Sequence, residues 1–296
     1  MPKYEIKSYQ EEFLEAQEKV GTEATKDWQA FGQTPAAQLK QIYSRDDFDP
    51  ETKLYAFEGD KLVGFLTSKI VPESEDGIKR ANLEFPLTLK GHEDCAEMLF
   101  EKAIENLKKK DVKKVQTRVG EMYKGTLEKA NDWGYNYSRD LYILIEGKVK
   151  DFSVESKADV EVLEFDESRD LEQMIQIFVE KLGSTEEYAK SNFERIIKEK
   201  ETFPIHAVIR KDDKIVGRVL AYRSQNDPKE FNFSNFYYED EEHMSSLAAF
   251  AISKMKKLGA EKASLFLSGE TLPLEEKYQS FGFSRAGKID YYEKEI

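Results

Sequence analysis

At 296 residues the chain has room for two domains, each able to build a core of its own. Charged residues make up 35% and hydrophobic ones 40%, which excludes a disordered or membrane-embedded chain. A net charge of −13 sets nucleic acid and anionic membranes aside as partners, and the single cysteine, Cys95, excludes an internal disulfide.

The opening MPKYEIKSYQEEF lacks the apolar core of a signal peptide, and no run reaches membrane-spanning length, so the expectation is a soluble cytoplasmic protein. Helical patterning covers 9–31 and 35–44. Two strands follow, KLYAFE (53–58) and KLVGFLTSKI (61–70), joined at Gly59-Asp60, and then a third, ANLEFPLTL (81–89). LFEKAIENLKKKD (99–111) is a long amphipathic helix with Leu99, Ala103 and Leu107 inward and Asp111 at its end. The strand KVQTRV (114–119), a short helix and a final strand, RDLYILIEG (139–147), complete the series, and the polar KVKDFSVESKAD (148–159) reads as a linker.

The series then starts again. Leu171, Met174, Ile175, Phe178 and Leu182 share one helical face, and a second helix covers 186–200. IHAVIR (205–210) and KIVGRVLAY (214–222) form a hairpin around Asp212-Asp213. FNFSNFYY (231–238) is the third strand, with Phe231, Phe233 and Asn235 on one face. A long helix (247–259) ending at Gly259, the strand KASLFL (262–267), a short helix and KIDYYEKE (288–295) close the chain. Gly64 matches Gly217 at a spacing of 153; Phe85 matches Phe233, the long helices match, and WGY (133–135) matches FGF (281–283), all at 148. A near-constant offset over so many elements argues for one fold present twice, as domains 1–150 and 158–296.

The order of elements, the KLVGF and KIVGR hairpins and the terminal EKYQSFGF (276–283) resemble the GNAT superfamily of acyl-CoA-dependent N-acyltransferases. Two units in one chain, with DFDPETKLYAFEGDKLVGF (47–65), resemble tandem GNAT proteins of the mycothiol synthase type. The resemblance implies an α+β fold of two tandem GNAT-like domains, each built on a mixed α/β sheet. It also implies transfer of an acetyl group from acetyl-CoA to a primary amine of a small molecule or peptide, with no metal.

In that family a glycine-bearing loop before the long helix offers backbone N–H groups to the cofactor pyrophosphate. Here the first copy has Lys90, Gly91, His92, Glu93, Asp94, Cys95 and Ala96 at this point, and the resemblance makes these the cofactor-binding candidates. The second copy has YEDEEHMSSL (238–247), without glycine and with four acidic residues, Glu239 to Glu242, a poor phosphate cradle. Tyr278 stands where many family members carry the general acid, while the first copy has Ala130 there. Two readings stay open: an acetyltransferase with one competent half, or a degenerate pair that binds a small ligand or protein without catalysis.

Smaller features have plain readings. His92 and Cys95 make half a metal site with no partner motif, and Cys95 reads as a small buried hydrophobe. His206 falls inside a strand and His243 at a helix start. The lysines at 108–110, 113 and 114 complement a helix C-terminus, with an adenosine phosphate as the alternative partner.

Overall fold

The computed structural model describes residues 3–28, 32–45, 47–72, 76–156, 160–224, 227–234 and 236–296. The first series runs β1 (Glu5–Ser8), α1 (Leu14–Ala24), α2 (Ala36–Tyr43), β2 (Lys53–Glu58), β3 (Lys61–Ile70), β4 (Arg80–Leu83) and β5 (Leu87–Thr88). It continues with α3 (Cys95–Lys109), β6 (Lys114–Gly120), α4 (Thr126–Asp132) and β7 (Asn136–Lys148). The second runs β8 (Val162–Glu164), α5 (Glu167–Glu180), α6 (Glu186–Lys198), β9 (Ile205–Lys211), β10 (Lys214–Arg223), β11 (Glu230–Phe233) and β12 (Tyr237–Tyr238). It ends with α7 (Glu241–Lys257), β13 (Lys262–Leu267), α8 (Glu275–Ser280) and β14 (Ser284–Glu295).

The chain divides into two compact units, but not at the linker. One unit is Met1–Leu141 with Gly287–Ile296; the other is Tyr142–Ala286. In the first, the sheet order is β1-β2-β3-β4-β6-β14, and β14 pairs antiparallel with β6 from Ile289↔Gly120 to Glu295↔Lys114. In the second, β13 pairs antiparallel with β7 from Lys262↔Lys148 to Leu267↔Ile143, and the order continues β11-β10-β9-β8. The last strand of each repeat therefore serves the sheet built mainly by the other. Gly120 permits this on the first sheet, since a Cβ there would lie 2.0 Å from the Lys288 carbonyl oxygen.

The segment 148–159 departs from a free polar linker over its described part, 148–156. Val149 and Phe152 are buried in the second unit's core; the Val149 amide bonds the Glu261 carbonyl at 2.9 Å, and Phe152 stacks on Phe283 at 4.3 Å. Two apolar side chains in a polar run suffice to pin it. Leu182 also departs from the reading, because α5 ends at Glu180 and leaves Leu182 52% exposed.

The Val-Gly of each hairpin has a structural cause. Ala56 faces Gly64 while Phe57 faces Leu62, so Val63 is an extra residue on β3. Arg210 faces Ile215 while Ile209 faces Gly217, so Val216 is the same extra residue on β10. Each is a β-bulge, and the glycine after it lets the long helix approach. A Cβ on Gly64 would sit 2.8 Å from Cys95 Sγ, and one on Gly217 would sit 3.1 Å from Leu247 Cδ1. The turns differ: Asp212 and Asp213 both take positive φ (50° and 62°), whereas in the first hairpin only Gly59 does (61°).

The third strand is broken in both units. Between Ser68↔Leu83 and Phe65↔Leu87, three steps on β3 face four on its partner; between Ala221↔Phe233 and Arg218↔Tyr237 the same slip occurs. In the first unit Pro86 sits in the break, where it has no N–H to give a ladder. This pairing makes Leu83 the counterpart of Phe233, in place of the Phe85 match read at 148. The offset thus narrows in two steps, and the first copy has two extra residues between β5 and α3.

Helices cover both faces of each sheet. Leu99, Ala103 and Leu107 of α3 pack with Leu54, Leu66 and Val115, while Phe13 and Val20 pack with Tyr55, Phe57 and Phe65 on the opposite face. In the second unit α7 brings Leu247, Ala251 and Met255 to one face, and α5 and α6 bring Met174, Phe193 and Ile196 to the other. No helix is long and apolar enough to cross a membrane among the described residues.

Candidate functional site

The parallel pairing of β4 with β6 stops at Asn82↔Gln116, where Gln116 Nε2 donates to Asn82 Oδ1 at 2.5 Å. Past this point β5 follows β3 while β6 stays paired only with β14, so the sheet opens between β5 and β6. The second unit repeats the arrangement: β11 and β13 part after Asn232↔Ser264, pinned by a 2.7 Å bond from Ser264 Oγ to Asn232 Oδ1. What occupies the two openings differs.

In the first unit a cavity of about 160 Å³ lies against the opening. Glu84 and Phe85 come from the break just after β4, Arg118 from β6 and Tyr123 from the turn after it, with Gln17 of α1 and Trp28 also on the lining. Arg118 Nη2 and Nε lie 2.9 and 3.1 Å from the same oxygen, Glu84 Oε1. The guanidinium stands 5.5 Å from the centre of the Tyr123 ring, which in turn is 4.5 Å from Trp28. Desolvation, the largest single influence, pulls the Arg118 pKa down, but the Glu84 charge and hydrogen bond together with Tyr123 and Tyr291 leave the group above its ordinary value.

Neither Glu84 nor Arg118 was singled out in the sequence. The signal that could have found them is asymmetry between the copies: the structural counterparts are Ser234 and Phe266, so a charge pair sits in strand positions where the second copy is neutral.

The loop Lys90–Ala96 lies in the same unit, at the start of α3. Gly91 has φ +88°, and a Cβ there would meet nothing within 4 Å. Its amide donates to the Glu93 carboxylate at 2.9 and 3.1 Å, and the Glu93 and Gly91 backbone N–H groups hold that carboxyl below the usual range. Three further amides of the loop are also taken: His92 N–H by Leu89, Cys95 N–H by His92 and Ala96 N–H by Glu93, each 3.1 Å from the carbonyl. Asp94 accepts from Tyr4 at 2.5 Å and Lys3 at 2.9 Å. Lys90 is exposed. The loop therefore closes on itself, its anion position answered by its own carboxylate.

His92 and Cys95 do not converge. His92 Nδ1 is 3.3 Å from the Tyr4 hydroxyl, while Cys95 is fully buried beneath Gly64, where burial pushes its thiol up to about 11. Among the nearby lysines, Lys109 pairs with Glu105, Lys110 with Asp49 and Glu51, and Lys113 with Asp111.

In the second unit aromatic rings fill the opening. Phe236 lies 5.4 Å from Phe233 and 6.1 Å from Tyr278, and Tyr278 lies 5.8 Å from Phe283. Tyr278 is 3% exposed, and burial raises its hydroxyl pKa. At the start of α7, Asp240 caps the Glu242 amide with its own carboxylate at 3.0 Å. Tyr278 and the loop Lys90–Ala96 fall in different units.

No family model matches the chain, and no curated protein does. Solved structures do. A tandem GNAT protein from the clavulanic acid biosynthesis pathway superposes with TM-score 0.66 at 14% identity, covering 99% of this chain and 98% of that one. The chain has the tandem GNAT fold. A GCN5-related N-acetyltransferase from Sphaerobacter thermophilus matches with TM-score 0.63 at 12% identity (100% and 96% covered). A GNAT-family acetyltransferase from Colwellia psychrerythraea gives 0.61 at 13% (98% and 99%). Both copies show the sheet opening, and among the described residues a polar cavity lies beside the first.

Proposed function

We propose that the chain is an acetyl-CoA-dependent N-acetyltransferase whose first unit is the working one. The observation that carries this reading is the Glu84–Arg118 pair on the wall of a cavity at the sheet opening. Acyl transfer to an amine needs a neutral nitrogen beside a thioester, and Glu84 is the carboxylate placed to take the ammonium proton. The nitrogen then bonds the acetyl carbon, the carbon–sulfur bond breaks and the thiolate leaves.

Lys90–Ala96 are the pyrophosphate candidates, with Gly91 the amide that matters. The open space beside Gly91 suits a phosphate, and the Glu93 carboxylate must rotate off the amide first. Glu93 is exposed, so this is a side-chain movement only. Two like charges about 4 Å apart repel by about 1 kcal/mol even in bulk water, and a pyrophosphate would meet Glu93 at that range. Glu93→Ala is therefore expected to tighten acetyl-CoA about fivefold by calorimetry, with acetyl-CoA consumption in the presence of a mixed amine pool rising in step. Unchanged affinity would remove the loop from the site.

Tyr278 is read here as a packing residue of the second unit, in place of the general acid that the family resemblance implies. Tyr278→Phe keeps every ring contact and is expected to leave turnover unchanged. A large drop in turnover at unchanged stability would restore the acid role.

A second reading, ligand binding without catalysis, is favoured by the closed loop. It predicts acetyl-CoA or amine binding with no acetylated product in either Glu93 background.

A further inference from the structure

The ion pair in the cavity says more than that a charge is present. From its place in that cavity we infer that the acceptor is a zwitterion, a free α-amino carboxylate whose ammonium pairs with Glu84 and whose carboxylate pairs with Arg118. This rests on the first unit's cavity being the acceptor site.

The pair is lopsided. Both guanidinium contacts go to Glu84 Oε1, through Arg118 Nε and Nη2. Among the described residues no hydrogen bond is made by Glu84 Oε2 or by Arg118 Nη1. Each partner therefore keeps an unused edge, one anionic and one cationic, and both residues line the same cavity.

Consider three kinds of small ligand. A simple amine would gain Glu84 but lie within reach of the guanidinium, like charge against like. A simple carboxylate would gain Arg118 and meet Glu84, in a chain already carrying −13. A molecule with both groups on one carbon satisfies both edges and adds no net charge. Size agrees: about 160 Å³ admits a small amino acid. Gln17 and Thr67 on the walls offer polar contacts to its remainder, and Phe65 and Trp28 apolar ones.

In the transfer step the amino acid enters as R–NH₃⁺. One proton passes to Glu84, the nitrogen forms the amide bond to the acetyl carbon, the thioester carbon–sulfur bond breaks, and the nitrogen's second proton ends on the departing sulfur. The products are the N-acetyl amino acid and the free thiol of CoA, with one proton released overall. Acetylation removes the ammonium, so the product loses its hold on Glu84 and leaves as a plain anion beside that carboxylate.

The test uses the full chain and four probes: L-alanine, L-serine, ethylamine and propionate. Binding is read by calorimetry without acetyl-CoA, and acetylation by mass spectrometry with it. Either amino acid should bind at least tenfold more tightly than ethylamine or propionate, a ratio expected of one charged hydrogen-bonded contact. In Arg118→Met the amino acids should fall to the level of ethylamine, while ethylamine itself holds or improves. Circular dichroism and Arg118→Lys, which keeps the charge, guard against a folding defect; the lysine variant should recover part of the preference. Ethylamine bound or acetylated as well as L-alanine would overturn the zwitterion inference and leave the acetyltransferase reading standing. Amino acids that bind selectively but are never acetylated would do the reverse. No binding of either amino acid at millimolar concentration would overturn the inference outright.

Discussion

Deleting Gly287–Ile296 is expected to unfold the first unit and leave the second intact, although those residues end the second repeat. They belong to the compact body formed with Met1–Leu141. Their loss strips β6 of a seven-residue antiparallel partner, from Gly120 to Lys114. It also removes Ile289, fully buried, and Tyr292 and Ile296, which pack on the core under α3. Burial of three such side chains contributes about 5 kcal/mol before any backbone bond is counted, comparable to the whole stability of a small domain. Hydrogen exchange should show amides of 114–120 losing protection while those of 205–223 keep theirs. Supplying the peptide 284–296 in trans should restore part of it. Gly120→Ala tests the same junction with a single methyl, since its Cβ would meet the Lys288 carbonyl at 2.0 Å, inside any tolerable contact. Retained protection across 114–120 in the deletion would show that β14 is dispensable to that sheet.

The exchange of last strands illustrates what a sequence pattern can and cannot carry. The hairpins at 53–58 with 61–70, and at 205–211 with 214–223, were legible because alternation and turn residues are local. β7 and β14 were legible as strands for the same reason. Which edge each joins is decided by long-range pairing, and nothing within 136–148 or 284–295 encodes it.

The site was less legible than the fold. The family resemblance drew attention to Lys90–Ala96 and Tyr278, positions defined by analogy with a motif. The polar cavity instead depends on Glu84 and Arg118, 34 residues apart and joined only where two parallel strands separate. A strand position gives no hint whether its side chain faces core or cavity. The bulge that slips the register between Leu83 and Leu87 re-aims this segment, and bulges follow from packing more than from composition.

Stability is also expected to fall as pH drops below about 6.5, by more than carboxylate titration alone would cause, and His206→Gln should abolish the excess. Arg218 is buried at 2% exposure with its guanidinium 5.2 and 5.3 Å from the rings of Phe178 and Phe193, and Nη2 has no hydrogen-bond partner. No carboxylate lies within ion-pair distance among the described residues; burial lowers the group to about 9. Its Nε donates to His206 Nε2 at 2.9 Å, so the imidazole must keep that nitrogen bare. Protonating it would set donor against donor and a second cation beside the first. Burial, and then the Arg218 charge, push His206 down to about 2. The unfolded chain binds this proton near 6.5 and the folded chain does not, so folding loses stability throughout the interval as pH falls. The slope is about 1.4 kcal/mol per pH unit, hence about 2 kcal/mol from pH 6.5 to 5 as an upper figure, because His206 also borders a cavity of about 240 Å³ that admits water. Glutamine preserves an acceptor for Arg218 and cannot titrate. Urea unfolding at pH 7, 6 and 5 should show wild type losing more stability than His206→Gln at each step. Parallel losses would mean the histidine titrates normally and that the buried Arg218–His206 contact opens to solvent in solution.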